Sequence, residues 1–213
     1  MEKNIFYILY ELANVLLLIT FIFSISRFKI RSFRIINFYL TVTLILLAIK
    51  EFMNFGLIKY NGLLMLVFGF SHLCCFAFFI MQQPIRFSNR MKYLFLVFIF
   101  LNFLVLFFDH SNNSWHSASS TNILLIAICA TSYSNLFRRS IDIENVSKSS
   151  LLILNGVFLS TALCTPIILF SQYLESILTK EQFYLVACIG PISSIILYYF
   201  IFKALKCLKR IPI

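Results

Sequence analysis

Three observations predict an all-α polytopic membrane protein, a seven-helix transmembrane bundle with its N-terminus outside and its C-terminus cytoplasmic. Of 213 residues, 61% are hydrophobic and only 12% charged, against about 45–50% and about 25% in an ordinary soluble domain. The apolar residues fall in seven runs, each approaching the roughly 20 residues that a spanning helix needs. The basic residues collect on one side of those runs. A single water-soluble core of this size cannot hide so much apolar surface, so lipid is the expected solvent.

The first span is placed at Ile5–Ile25. A single Lys precedes it, several basic residues follow, and no small-residue cleavage site ends it, so it reads as a retained first helix and not as a signal peptide. Glu11 lies six residues in, roughly 9 Å below the outer end at about 1.5 Å per residue, and Asn14 shares its face. The second span is placed at Ile35–Ile49, with Glu51 and Asn54 just beyond it near the outer interface. The third, Gly62–Met81, holds His72 near its middle. The fourth, Tyr93–Phe108, holds Asn102, and the fifth, Asn122–Phe137, opens on Asn122 after a polar outer loop, Asp109–Thr121. Trp115 in that loop is expected at headgroup level. The second, fourth and fifth runs are short and are expected to extend into their flanks.

The sixth span, Leu151–Ser171, and the seventh, Phe183–Phe202, carry the irregularities. Asn155-Gly156, Ser160, Thr161, Thr165 and Pro166 lie in one; Gly190-Pro191, Ser193 and Ser194 lie in the other. Proline removes a helical hydrogen bond. The small pairs Gly156/Ser160 and Gly190/Ser194 predict close approach of the two helices.

Orientation follows from the loops. Arg27, Lys29, Arg31, Arg34, Arg86, Arg90, Lys92, Arg138, Arg139, Lys148, Lys203, Lys206, Lys209 and Arg210 make fourteen basic residues on one side, against Lys3, Lys50, Lys59 and Lys180 on the other. In short loops the basic side is cytoplasmic. The net charge of +10 therefore reads as topology signal and contact with anionic headgroups, not as a nucleic-acid surface. Cys74, Cys75, Cys129, Cys164 and Cys188 fall in apolar runs and Cys207 in a Lys-rich tail, which implies packing residues and no disulfide framework. No cofactor is expected.

Ionisable groups inside a membrane cost about 2.5–3.5 kcal/mol at a helix centre on insertion scales and are functional candidates for that reason. Glu11, Asn14, His72, Asn102 and Asn122 form the candidate binding set, a shallow polar cavity opening outward. The competing reading is structural: a Glu that fixes packing, a hydrogen-bonding His, and Asn side chains acting as interhelical glue. A metal needs three or four ligands and only one His lies in a span.

Missing residues exclude several classes. A retinal protein needs a Lys in span seven, and none lies between Phe183 and Phe202. A zinc hydrolase of the adiponectin-receptor type needs several intramembrane His residues. A rhomboid-type protease needs a Ser in a Gly-x-Ser-Gly setting with a partner His. SWEET-like transporters share span count and orientation but carry prolines in both repeats, whereas spans one to three have none; Gln83-Pro84 is reversed relative to their motif. A 3+1+3 repeat is hinted at by Gly69 and Gly190, each followed by a Ser and a Phe- or Tyr-rich stretch; chance similarity among Phe-rich helices explains this equally well.

Tyr10-Glu11 at the start, Asn61 opening span three, Leu101-Asn102, and Tyr198-Tyr199 running into the Lys-rich tail resemble features of small, loop-poor seven-span bacterial membrane proteins with no assigned function. That resemblance covers most of the chain, implies the bacterial inner membrane and implies no reaction. Three functions compete: a sensory or scaffold module relaying to a separate membrane or cytoplasmic partner protein, a small-molecule or ion transporter with Glu11 and His72 as coupling groups, and, ranked last, an intramembrane lipid-modifying enzyme.

Overall fold

A computed structural model describes residues 2–27, 33–54, 62–83, 87–108, 114–138 and 147–208. Expectations concerning Lys29, Arg31, Lys59, Asn61, Pro84, Arg86, residues 109–113, Arg139, Lys209 and Arg210 lie outside the described residues. The described residues are almost all helical, with no strand among them.

Among the described residues there are eight helices: α1 Glu2–Ile25, α2 Arg34–Asn54, α3 Gly62–Gln82, α4 Asn89–Phe108, α5 Ser114–Arg138, α6 Lys148–Ile177, α7 Lys180–Ala187 and α8 Ile189–Cys207. Among the described residues, five stretches are long and apolar enough to cross a membrane: Lys3–Ile25, Arg34–Met53, Ser120–Phe137, Lys148–Ser171 and Lys180–Cys207. Val67–Gln82 is apolar but shorter. Together these make an integral membrane protein. The hydrocarbon core offers backbone groups no partners, so each span must satisfy its own as a helix.

Several sequence boundaries need correction. The outer loop Asp109–Thr121 is helical from Ser114 onward, so Trp115 lies in the first turn of α5 and Asn122 two turns inside it. Asn102 on α4 gives the reason: its amide donates to Ser120 Oγ at 2.7 Å and its carbonyl accepts from Thr121 Oγ1 at 3.2 Å, pinning polar residues into the helix. The seventh run is two helices. Pro191 has no N–H to offer the Ala187 carbonyl, and the chain turns at Cys188, whose own N–H reaches Tyr184 O at 3.1 Å. Thr179 and Gln182 close a reciprocal cap at the start of α7. By contrast, α6 runs unbroken through Pro166 for 30 residues, begun by Ser147, whose Oγ accepts from Ser150 N.

Contacts give the helix directions. Lys50 meets Tyr10, Tyr39 meets His72, Asn102 meets Ser120, Tyr133 meets Asn155, and Cys164 meets Ser193. Each joins successive helices head to tail. Between α1 and the α7–α8 segment the pattern differs: Phe6 meets Tyr184, Thr20 meets Tyr198 and Phe23 meets Phe202, so the two run parallel. The ring α1–α2–α3–α5–α6–α8 thus closes on itself, with α4 packed outside it on α3 and α5. Helix α4 has no polar side to spare for water: Tyr93, Val97, Phe98 and Phe100 are all exposed.

The closest seam lies between α6 and α8. A Cβ on Gly156 would sit 2.6 Å from Phe200 Cβ, so only glycine admits this approach. Ser160 is buried beside it and Cys164 Sγ lies 2.8 Å from Ser193 Oγ. Gly190 plays another part. It has open space where a Cβ would go, and its carbonyl accepts from Ser193 and Ser194. All six cysteines are free thiols.

Candidate functional site

The main polar cluster is assembled by α1, α2, α3 and α8 around one buried phenol. Tyr39, 1% exposed, places its hydroxyl 3.1 Å from His72 Nδ1, with the direction of donation set by the imidazole tautomer. Its ring also packs on Phe76 at 4.6 Å between centroids. From α8, the buried Tyr198 belongs to the same packed core. Thr20 on α1 donates to its own Leu16 carbonyl and lies 3.5 Å from the Tyr198 carbonyl. Buried polar groups need partners; Tyr39 finds one on α3, and Thr20 finds one a turn back on its own helix.

The cluster is sheltered by rings. His72 is half-buried, with Phe76 edge-on at 4.9 Å and Phe68 stacked at 6.2 Å. Toward one end of the bundle, Lys50 Nζ donates to the Tyr10 hydroxyl at 2.8 Å and lies 4.2 Å over its ring. Toward the other end lie Asn37, 3% exposed with both amide atoms unpaired among the described residues, and Arg27, buried with its guanidinium over Phe23 and Nε unpaired. Polar groups therefore extend along α1 and α2 from the exposed Lys50 and half-buried Tyr10 to the buried Arg27.

The five predicted site residues do not share one pocket of contacts. Glu11 is exposed on α1, and Asn14 and Asn122 are half-buried. His72 belongs to the Tyr39 cluster. Asn102 belongs to a separate cluster between α4 and α5 with Ser120 and Thr121. Among the described residues, no hydrogen bond joins Glu11, Asn14 or Asn122 to either group. A third cluster joins the Tyr133 hydroxyl, as donor, to Asn155 Oδ1 across α5 and α6.

Sequence reasoning missed Tyr39, Tyr198 and Asn37. Tyr counts as apolar in a hydropathy window, although its hydroxyl needs a partner when buried. The available signal was a Tyr with a Thr four residues on, Tyr39 and Thr43, inside a span. Chemically, the cluster offers a phenol and an imidazole that share a hydrogen bond. Among the described residues no three His, Cys, Asp or Glu side chains gather as metal ligands. No protein family, no curated protein and no solved structure matches this chain.

Proposed function

We propose that this is a seven-span protein of the bacterial inner membrane, N-terminus outside, acting as a sensory or scaffold module that relays to a separate partner protein. The alternating helix directions support the span count, since six reversals leave α8 parallel to α1, as their contacts require. The partition of basic residues supports the orientation. The relay rests on one observation, the buried Tyr39 hydroxyl at which α2 and α3 meet. A shift of either helix must break or exchange the hydrogen bond there, and such exchange between discrete arrangements is what a switch requires. The basic end offers the partner, or anionic headgroups, a cationic surface.

The test is chemical crosslinking in native nanodiscs. A defined partner is expected with the wild-type chain and is lost with Tyr39→Phe at equal protein level. A chain that stays monomeric and uncrosslinked refutes the relay.

Transport is the second reading, favoured by the polar groups extending from Lys50 and Tyr10 to Arg27. Reconstituted vesicles would then show proton or solute flux that His72→Ala abolishes. Flux unaffected by Glu11→Gln would remove Glu11 as a coupling group, in keeping with its exposed position.

A further inference from the structure

The ring of helices repeats. Each neighbour relation in the first half has a counterpart in the second: α1 on α2 matches α5 on α6, α2 on α3 matches α6 on α8, and α3 on α5 matches α8 on α1. Helix α4, outside the ring, has no counterpart. The buried positions repeat as well. Ala13, Leu17, Thr20 and Ser24 on α1 correspond to Leu125, Cys129, Ser132 and Leu136 on α5, each 112 positions later, and all eight are buried. Phe33, Ile36, Asn37, Tyr39, Leu40 and Thr43 correspond to Ser150, Ile153, Leu154, Gly156, Val157 and Ser160 on α6, each 117 positions later, and all twelve are buried.

An independent observation checks the register. Those two offsets carry the Tyr10–Lys50 contact of the first hairpin onto positions 122 and 167, the same pairing level as the observed contacts of Tyr133 with Asn155 and Phe158. For the third helices, Leu73, Phe76, Phe79 and Ile80 match the buried Tyr198, Ile201, Ala204 and Leu205 at 125 positions. Gly69 and Gly190 stand 121 positions apart, one helical turn off this register.

The equivalence fails where the buried Thr165 and Ser193 fall on the exposed Ala48 and Phe68, and, more informatively, at one mismatch of size. Tyr39, among the largest fully buried side chains, corresponds to Gly156. Where α6 and α8 touch backbone to side chain, α2 and α3 are held apart by Tyr39, His72 and Phe76. The two halves also touch where Thr20 Oγ1 lies 3.5 Å from the Tyr198 carbonyl. We infer that α1–α3 and α5–α8 are two equivalent three-span units about a two-fold axis along the helices, α7 and α8 together making the third span of the second unit.

The equivalence of the units does not depend on the relay. It is tested on the full chain in nanodiscs with spin labels carried by a non-canonical amino acid, which leaves the six cysteines in place. Ile22 corresponds to Ser134 and Phe52 to Leu169, and all four positions are exposed. A label pair at 22 and 169 and a pair at 134 and 52 should return the same distance. Distances differing by more than the label's rotamer spread overturn the equivalence.

Discussion

At the scale of single residues, the site most sensitive to substitution is Gly156. A methyl there collides with Phe200 Cβ, an atom too near the backbone to swing away. Overpacking of this kind costs about 1–3 kcal/mol, so Gly156→Ala should lower the thermal midpoint in detergent. Gly190→Ala, which meets open space, is the matched control and should be neutral or slightly stabilising. Asn102→Leu removes two interhelical bonds worth about 0.6 kcal/mol each; trypsin or hydrogen exchange should then find the α4–α5 end loosened while the Tyr39 cluster is unchanged. Sequence made Asn102 legible as interhelical glue, and the structure supplies its partners. It did not give the exposure of Glu11, because depth along an apolar run does not say which way a side chain faces. It passed over Tyr39 and Asn37, because the cost of a buried hydroxyl or amide appears only once its neighbours are known.

At the scale of elements, the helices follow the apolar runs and then overrun them. The second, fourth and fifth apolar runs each continue as helix into polar flanks, to Arg34–Asn54, Asn89–Phe108 and Ser114–Arg138. Hydropathy reports where lipid must be met, whereas the helix continues as long as backbone groups find partners beyond it. The two prolines show why local sequence is insufficient. Both were legible as missing donors, yet α6 passes through Pro166 while the seventh run breaks before Pro191. Thr161 and Thr165 donate to carbonyls one turn back at 2.7 and 2.6 Å just ahead of Pro166; α8 instead restarts at Cys188, with no side-chain cap. Pro191→Ala restores the donor facing the Ala187 carbonyl. It should fuse α7 and α8, seen as slowed amide exchange across residues 187–192; exchange as fast as in the wild type would mean that the break has another cause.

At the scale of the whole molecule, the all-helical, membrane-spanning character was legible from composition and run length alone, because it reflects transfer of apolar surface. The order of helices around the ring was not, since it depends on side-chain pairs such as Thr20 with Tyr198 that lie far apart in the chain. The proposed topology requires reporters fused to the two ends to be found in opposite compartments, and finding both on one side would refute it.

The parallel pairing of α1 with α7 and α8 has a consequence for biogenesis. Helix α1 leaves the ribosome well before α7 and α8, which seal it, so Leu17, Thr20 and Ser24 must wait in lipid or beside an insertase until those helices arrive. A nascent chain halted before Lys180 presents a hydroxyl-bearing flank to acyl chains, and its turnover by membrane quality control should be fast for as long as that gap stays open.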